Sequence, residues 1–180
     1  MGHGIHWWLR ATIGLLIAGL AGAPGALATT AVAPLTVGEL TSRSDLAIHG
    51  TVESISSYRE AQGIYTEIEV RIQDTLKGRA VSENVVLKLY GGTYEGVRTR
   101  VVGAPCLGTQ EEVVLFLKAN GPDTYDVVSL AEGKFSVVRD GSASPSVERE
   151  LGGISYIDKT PPAVPETLET LKAAVRASAR

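Results

Sequence analysis

Ile64-Tyr65-Thr66-Glu67-Ile68-Glu69-Val70-Arg71-Ile72-Gln73 is the stretch that decides the fold class. Ile64, Thr66, Ile68, Val70 and Ile72 alternate with polar or charged neighbours at a period of two, the pattern of a half-buried strand, because successive side chains on a strand point to opposite faces. The same period runs upstream, with Leu46, Ile48, Gly50 and Val52 on one face and Ala47, His49, Thr51 and Glu53 on the other. The polar segment around Arg59 to Gly63 ends in glycine and predicts a hairpin joining the two.

Further strands are predicted downstream. Lys77-Gly78 closes the second strand, and Val85 to Tyr90 is apolar enough for burial on both sides or for a barrel wall. Val97 to Val102 alternates as a fourth strand, and Val113 to Leu117 is the most hydrophobic and the natural central strand. Tyr125 to Leu130 and Lys134 to Val138 complete the set, joined by Ala131-Glu132-Gly133 as a hairpin turn. Seven strands separated by glycine-rich turns, with no helical pattern between them, predict an all-β, mainly antiparallel domain. A barrel is favoured over an open sheet, because closure removes unpaired edges.

Helices are predicted only at the flanks. Thr36 with Glu39 forms a capping box, with Leu35 and Leu40 at the staple positions, so a short helix runs to about Arg43. A second helix is predicted over 165–180, starting at Pro165, with Leu168, Leu171 and Val175 as an apolar stripe that docks on the barrel. The organisation read along the chain is a signal peptide at 1–28, a flexible lead-in at 29–35, the β domain at 36–140, a Ser/Pro-containing linker at 141–164 and the terminal helix.

Residues 1–28 carry the export reading. Arg10 precedes the apolar run Ala11 to Ala23, and Ala26-Leu27-Ala28 is a small-x-small cleavage site, which places the mature protein in the periplasm or outside the cell. Removing this leader takes away one of 17 Lys/Arg and none of 20 Asp/Glu, leaving a formal charge of −4. Such mild acidity offers no basic footprint for nucleic acid. Stable membrane insertion after cleavage is not expected. Cys106 is the single cysteine, so no internal disulfide can form; between Pro105 and Gly108 it is read as a buried small side chain, with a thiol open to intermolecular pairing as the alternative.

Few residues of the chain form a chemical motif. No zinc-binding spacing, nucleophile elbow or phosphate loop is present, so no metal and no cofactor are expected. Glu67 and Glu69 lie about 6.5–7 Å apart along one strand face, a spacing compatible with glycoside hydrolysis. Arg71, Arg98 and Arg100 offer the simpler reading, cross-strand ion pairs. His49 is read as a surface or cross-strand histidine, the alternative being a catalytic base assembled in space. The unusual loop is Tyr90-Gly91-Gly92-Thr93-Tyr94-Glu95-Gly96, in which tyrosines bracket glycines. Tyr90, Tyr94, Arg98 and Arg100 are the candidate ligand-binding residues, tyrosine offering contact area with a hydroxyl and arginine seeking carboxylates, the other reading being a flexible hairpin whose rings merely cap the barrel end.

Ser44-Asp45-Leu46-Ala47-Ile48-His49-Gly50-Thr51-Val52, then Tyr65-Thr66, Leu76-Lys77-Gly78, Gly91-Gly92, Gly103-Ala104-Pro105 and Glu112 to Leu117, resemble an uncharacterised group of exported bacterial proteins over residues 36–140. The order "strand, Gly-x-Val, strand, Leu-Lys-Gly" resembles more loosely the oligonucleotide/oligosaccharide-binding barrel of netrin-like domains and tissue inhibitors of metalloproteinases. That resemblance implies a closed or partly open OB-like barrel. The inhibitors' N-terminal cysteine and disulfides have no counterpart in Thr29 and the lone Cys106, so only the barrel carries over. The expected function is an exported, non-enzymatic binding module for an envelope or extracellular protein or glycan. The alternatives are an inhibitor or accessory of a secreted protease, and a hydrolase using Glu67 and Glu69 or His49.

Overall fold

The computed structural model describes residues 30–141, 143–156 and 163–180. The segment read as an export leader lies outside the described residues. The elements are β1 (Thr30–Val32), α1 (Val37–Arg43), β2 (Leu46–Glu60), β3 (Gly63–Lys77), β4 (Asn84–Tyr90), β5 (Gly92–Tyr94), β6 (Val97–Thr99), β7 (Glu112–Gly121), β8 (Thr124–Val127), a 3-10 turn at Leu130–Gly133, β9 (Lys134–Val138), β10 (Ser146–Glu148), β11 (Ile154–Tyr156) and α2 (Leu168–Ser178). The protein is mostly β, with a large, mainly antiparallel sheet and a helix near each end of the described chain.

β2 and β3 form a long hairpin, and the sheet order is β10-β9-β7-β2-β3-β4-β8. β8 also pairs back onto β7, so the pairing runs around a ring of five strands. The parallel β4–β8 seam consists of only Val86↔Thr124 and Leu87↔Tyr125, which leaves a strongly coiled sheet with a short join and not a clear barrel.

Two apolar layers explain the composition of β7. Val113, Leu115 and Leu117 point into the ring beside Leu46, Ile48, Val52, Val70 and Leu87. Val114 and Phe116 point the other way, against Leu40 of α1, Leu171 and Val175 of α2, and Phe135. A strand buried on both faces must be apolar at consecutive positions, which is why Val113 to Leu117 shows no alternation. α1 keeps its capping box, Thr36 accepting from the Glu39 amide and Glu39 accepting from the Thr36 amide. α2 starts three residues later than Pro165 suggests, because Thr167 is its N-cap.

Four sequence expectations change. The fourth strand shrinks to Val97–Thr99 and pairs only with β5, in a small separate sheet. β8 and β9 are not a hairpin: both run antiparallel to β7, and together they read as one strand interrupted at residues 128–133. Ser129 and Leu130 take left-handed φ values of 54° and 59° there, and Gly133 presses on the Val128 carbonyl, where a Cβ would overlap. The stretch read as a linker contains β10, added to β9, and β11. Finally, β1 lies in the expected lead-in and pairs in parallel with β11.

Candidate functional site

The upper halves of β2 and β3 project beyond β7, whose pairing with β2 stops at Thr51↔Glu112. The β5–β6 hairpin folds over the inner face of this projection. Its turn, Glu95-Gly96, has φ values of 47° and 77°, as a two-residue turn with both centres left-handed requires. Thr66 Oγ1 donates to the Gly91 carbonyl at 2.7 Å and lies 2.9 Å from Ser57 Oγ. Gly92 passes so close that a Cβ would overlap both hydroxyls, so the glycine is demanded by approach as much as by its φ of 132°.

Between these pieces lies an open cleft of about 370 Å³, lined by Ile55, Thr66 and Ile68 from the hairpin, Leu89 to Thr93, Arg98 to Val101, Ala104 to Leu107, Glu150 and Gly152. The 101–107 wall is tied down by Gly103, whose amide donates to Gly152 O and whose carbonyl accepts from the Ala131 amide. A second concavity of about 370 Å³ lies on the other side of Leu89, Tyr90, Val101, Ala104 and Pro105, reaching Leu130.

Tyr90, Arg98 and Arg100 all line one cleft, but the Tyr90 ring turns to Tyr65 on the opposite sheet face, so only the two arginines bring their side chains together there; Tyr94, half-buried on β5, does not line it. Arg98 and Arg100 are exposed, and among the described residues neither makes an ion pair. The expected pairing with Glu67 and Glu69 fails because β6 is not in the main sheet. Arg71 pairs instead with Glu53 at 2.7 Å, and Glu69 accepts from Asn84 Nδ2 at 2.7 Å. Glu67 and Glu69 sit on the outer sheet face, away from the cleft. On that face Tyr65 stacks on Tyr58 and meets Tyr90 edge-on, with Lys88 Nζ 4.8 Å above the Tyr65 ring. The Glu60 carboxylate, 2.6 Å from Lys88 Nζ, holds that ammonium's pKa above its usual value.

Cys106 is exposed and lines the cleft, contrary to the burial expected. Its neighbours form the cleft wall and leave the thiol at the rim. Ile55 is a lining residue that the sequence pattern did not single out; its signal was a lone large apolar residue in Ser54-Ile55-Ser56-Ser57, and it is 37% exposed.

His49 is a buried cross-strand residue, not a surface one. Its Nε2 lies 2.7 Å from Glu112 Oε1, and Glu112 also receives Arg139 through Nε and Nη2 at 2.6 and 2.7 Å. Facing a carboxylate, Nε2 carries the proton, and Nδ1 is buried with no hydrogen-bond partner among the described residues. Burial holds the imidazole pKa below its ordinary value and outweighs the opposing pull of Glu112. Among the described residues no group of three or more His, Cys, Asp or Glu is placed to hold a metal ion, and no helix is long and apolar enough to cross a membrane.

No family model and no curated protein matches this chain. The reading of the site therefore rests on its geometry.

Proposed function

We propose that this chain is a non-enzymatic binding module acting in an exported setting, periplasmic or extracellular, and that an envelope or extracellular protein or glycan seats in the cleft between Tyr90 and Arg100. The observation that carries this reading is the pair of exposed guanidinium groups, Arg98 and Arg100, without an ion pair among the described residues, on the rim of a cleft of about 370 Å³. Among the described residues Arg71, Lys88, Lys118, Lys134, Arg139, Lys172 and Arg176 are ion-paired, whereas Arg43, Arg59, Arg79 and Arg180 are exposed without an ion pair but do not line the cleft. Of the four exposed large apolar residues among the described residues, Ile55, Tyr90 and Val97 belong to this end of the molecule. Apolar lining beside a few convergent donors is the general character of a recognition site.

The test is capture from envelope extract and culture medium by the wild-type chain and by Arg98→Glu/Arg100→Glu. The reading expects a retained species that the double variant loses while melting at the wild-type temperature. Equal recovery by both proteins removes the cleft from consideration.

A further inference from the structure

The free edge of β2 lies beside the cleft. β2 pairs with β3 along its whole length to Glu60↔Gly63, but β7 covers its other edge only to Thr51, after which Val52 bonds to Gln110 and Glu111. The Gly91 amide bonds to Ile64 O, so the even-numbered positions of β3 turn their backbone groups toward β4. Antiparallel alternation then leaves Ile55, Ser57 and Arg59, the partners of Ile68, Thr66 and Ile64, with N–H and C=O directed away from β3. Among the described residues no strand pairs with that edge. The same three side chains lie on the cleft face. Arg59 is exposed and, like Arg98 and Arg100, makes no ion pair among the described residues.

We infer that the cleft takes an acidic, extended segment of a protein partner, added as a further strand to the Ile55–Arg59 edge with its carboxylates at Arg98 and Arg100. This rests on the binding-module reading above. Three observations favour a peptide. Main-chain groups in register offer what strand addition needs. The Ile55–Arg59 edge holds no proline or lysine, its irregularity lies before it between Val52 and Ser54, and Arg59 is the one charged residue within it. In a chain of net charge −3, Arg59, Arg98 and Arg100 at this end outnumber the one carboxylate that lines the cleft, Glu150, and so favour an acidic ligand by complementarity. A glycan is less suited, because sugars stack on aromatic faces, and Tyr90, the aromatic residue among those lining the cleft, has its ring turned to Tyr65 on the outer face.

The experiment uses the full chain and fluorescence anisotropy with dye-labelled peptides matched in length to Glu53–Glu60. One alternates glutamate with valine or threonine, a second is the same peptide N-methylated at alternate residues, and a third carries lysine for glutamate. Oligogalacturonate serves as an acidic glycan without backbone N–H groups. The acidic peptide should bind, N-methylation and Arg98→Glu/Arg100→Glu should each weaken it by about tenfold or more, and the lysine peptide should not bind. Equal binding of the N-methylated peptide refutes strand addition, as does tighter binding of oligogalacturonate than of any peptide. Absence of peptide binding up to about 1 mM refutes the peptide class; retention of a captured species that the double arginine variant loses would still leave the binding-module reading standing.

Discussion

Replacing Leu171 by alanine tests whether α2 is part of the core. Leu171 is fully buried, between α1 and the outer face of the sheet, in the layer that holds Leu40, Phe116 and Val175. Removing its three outer carbons forfeits about 0.8 kcal/mol each in transfer free energy, and the void left by incomplete relaxation adds about 1–2 kcal/mol. The total of about 3.4–4.4 kcal/mol corresponds to a fall in Tm of roughly 7–18 °C for a domain of this size. Thermal melting by circular dichroism reads it directly. Glu169→Ala on the exposed face of the same helix is the control, expected to change stability by less than about 0.5 kcal/mol. A Leu171→Ala melt within a degree of wild type would mean that α2 is an appendage, and the two-layer account of β7 would fall with it.

Thr66→Val keeps the shape of the side chain but leaves the Gly91 carbonyl without its hydroxyl donor; a local cost of about 1–3 kcal/mol is expected, read as faster amide exchange in β5–β6 and weaker capture, and unchanged exchange would contradict the anchoring role. Burial depresses the His49 pKa, so as pH falls below about 6.5 the unfolded chain binds a proton that the folded chain refuses, and stability must drop. Urea midpoints should therefore fall between about pH 7.5 and 5.5, and the slope should flatten in His49→Gln; an identical slope would show that His49 does not carry the effect. Glu112, held low chiefly by Arg139, adds its loss only further into acid, below the ordinary value of 4.5. Cys106 should react with a small thiol reagent in the native state, without prior unfolding, whereas reaction only upon unfolding would contradict its placement at the rim.

What could be read in the sequence was local. The Thr36/Glu39 box signals a helix start within four residues, and β3 carries its alternation without help from elsewhere. The Gly91-Gly92 pair marked the place where the chain must turn against the hairpin. What escaped depends on neighbours distant in sequence. β8 and β9 share β7 as partner, a fact absent from either segment, so their junction read as a hairpin turn. β10 and β11 are three-residue strands created by available edges, and nothing in Ser146 to Glu148 distinguishes them from a loop. Val97 to Val102 alternates well but has only β5 to pair with, so the arginines lost their expected acidic partners. Cys106 followed the usual burial of free cysteine until the cleft walls placed it at the rim.

The lone cysteine offers the most direct test of the cleft as a recognition site. Wild-type protein labelled at Cys106 with a bulky maleimide and presented to the same envelope extract should lose the captured species, while Cys106→Ala treated identically should keep it. Undiminished capture by the labelled wild-type chain would contradict the account.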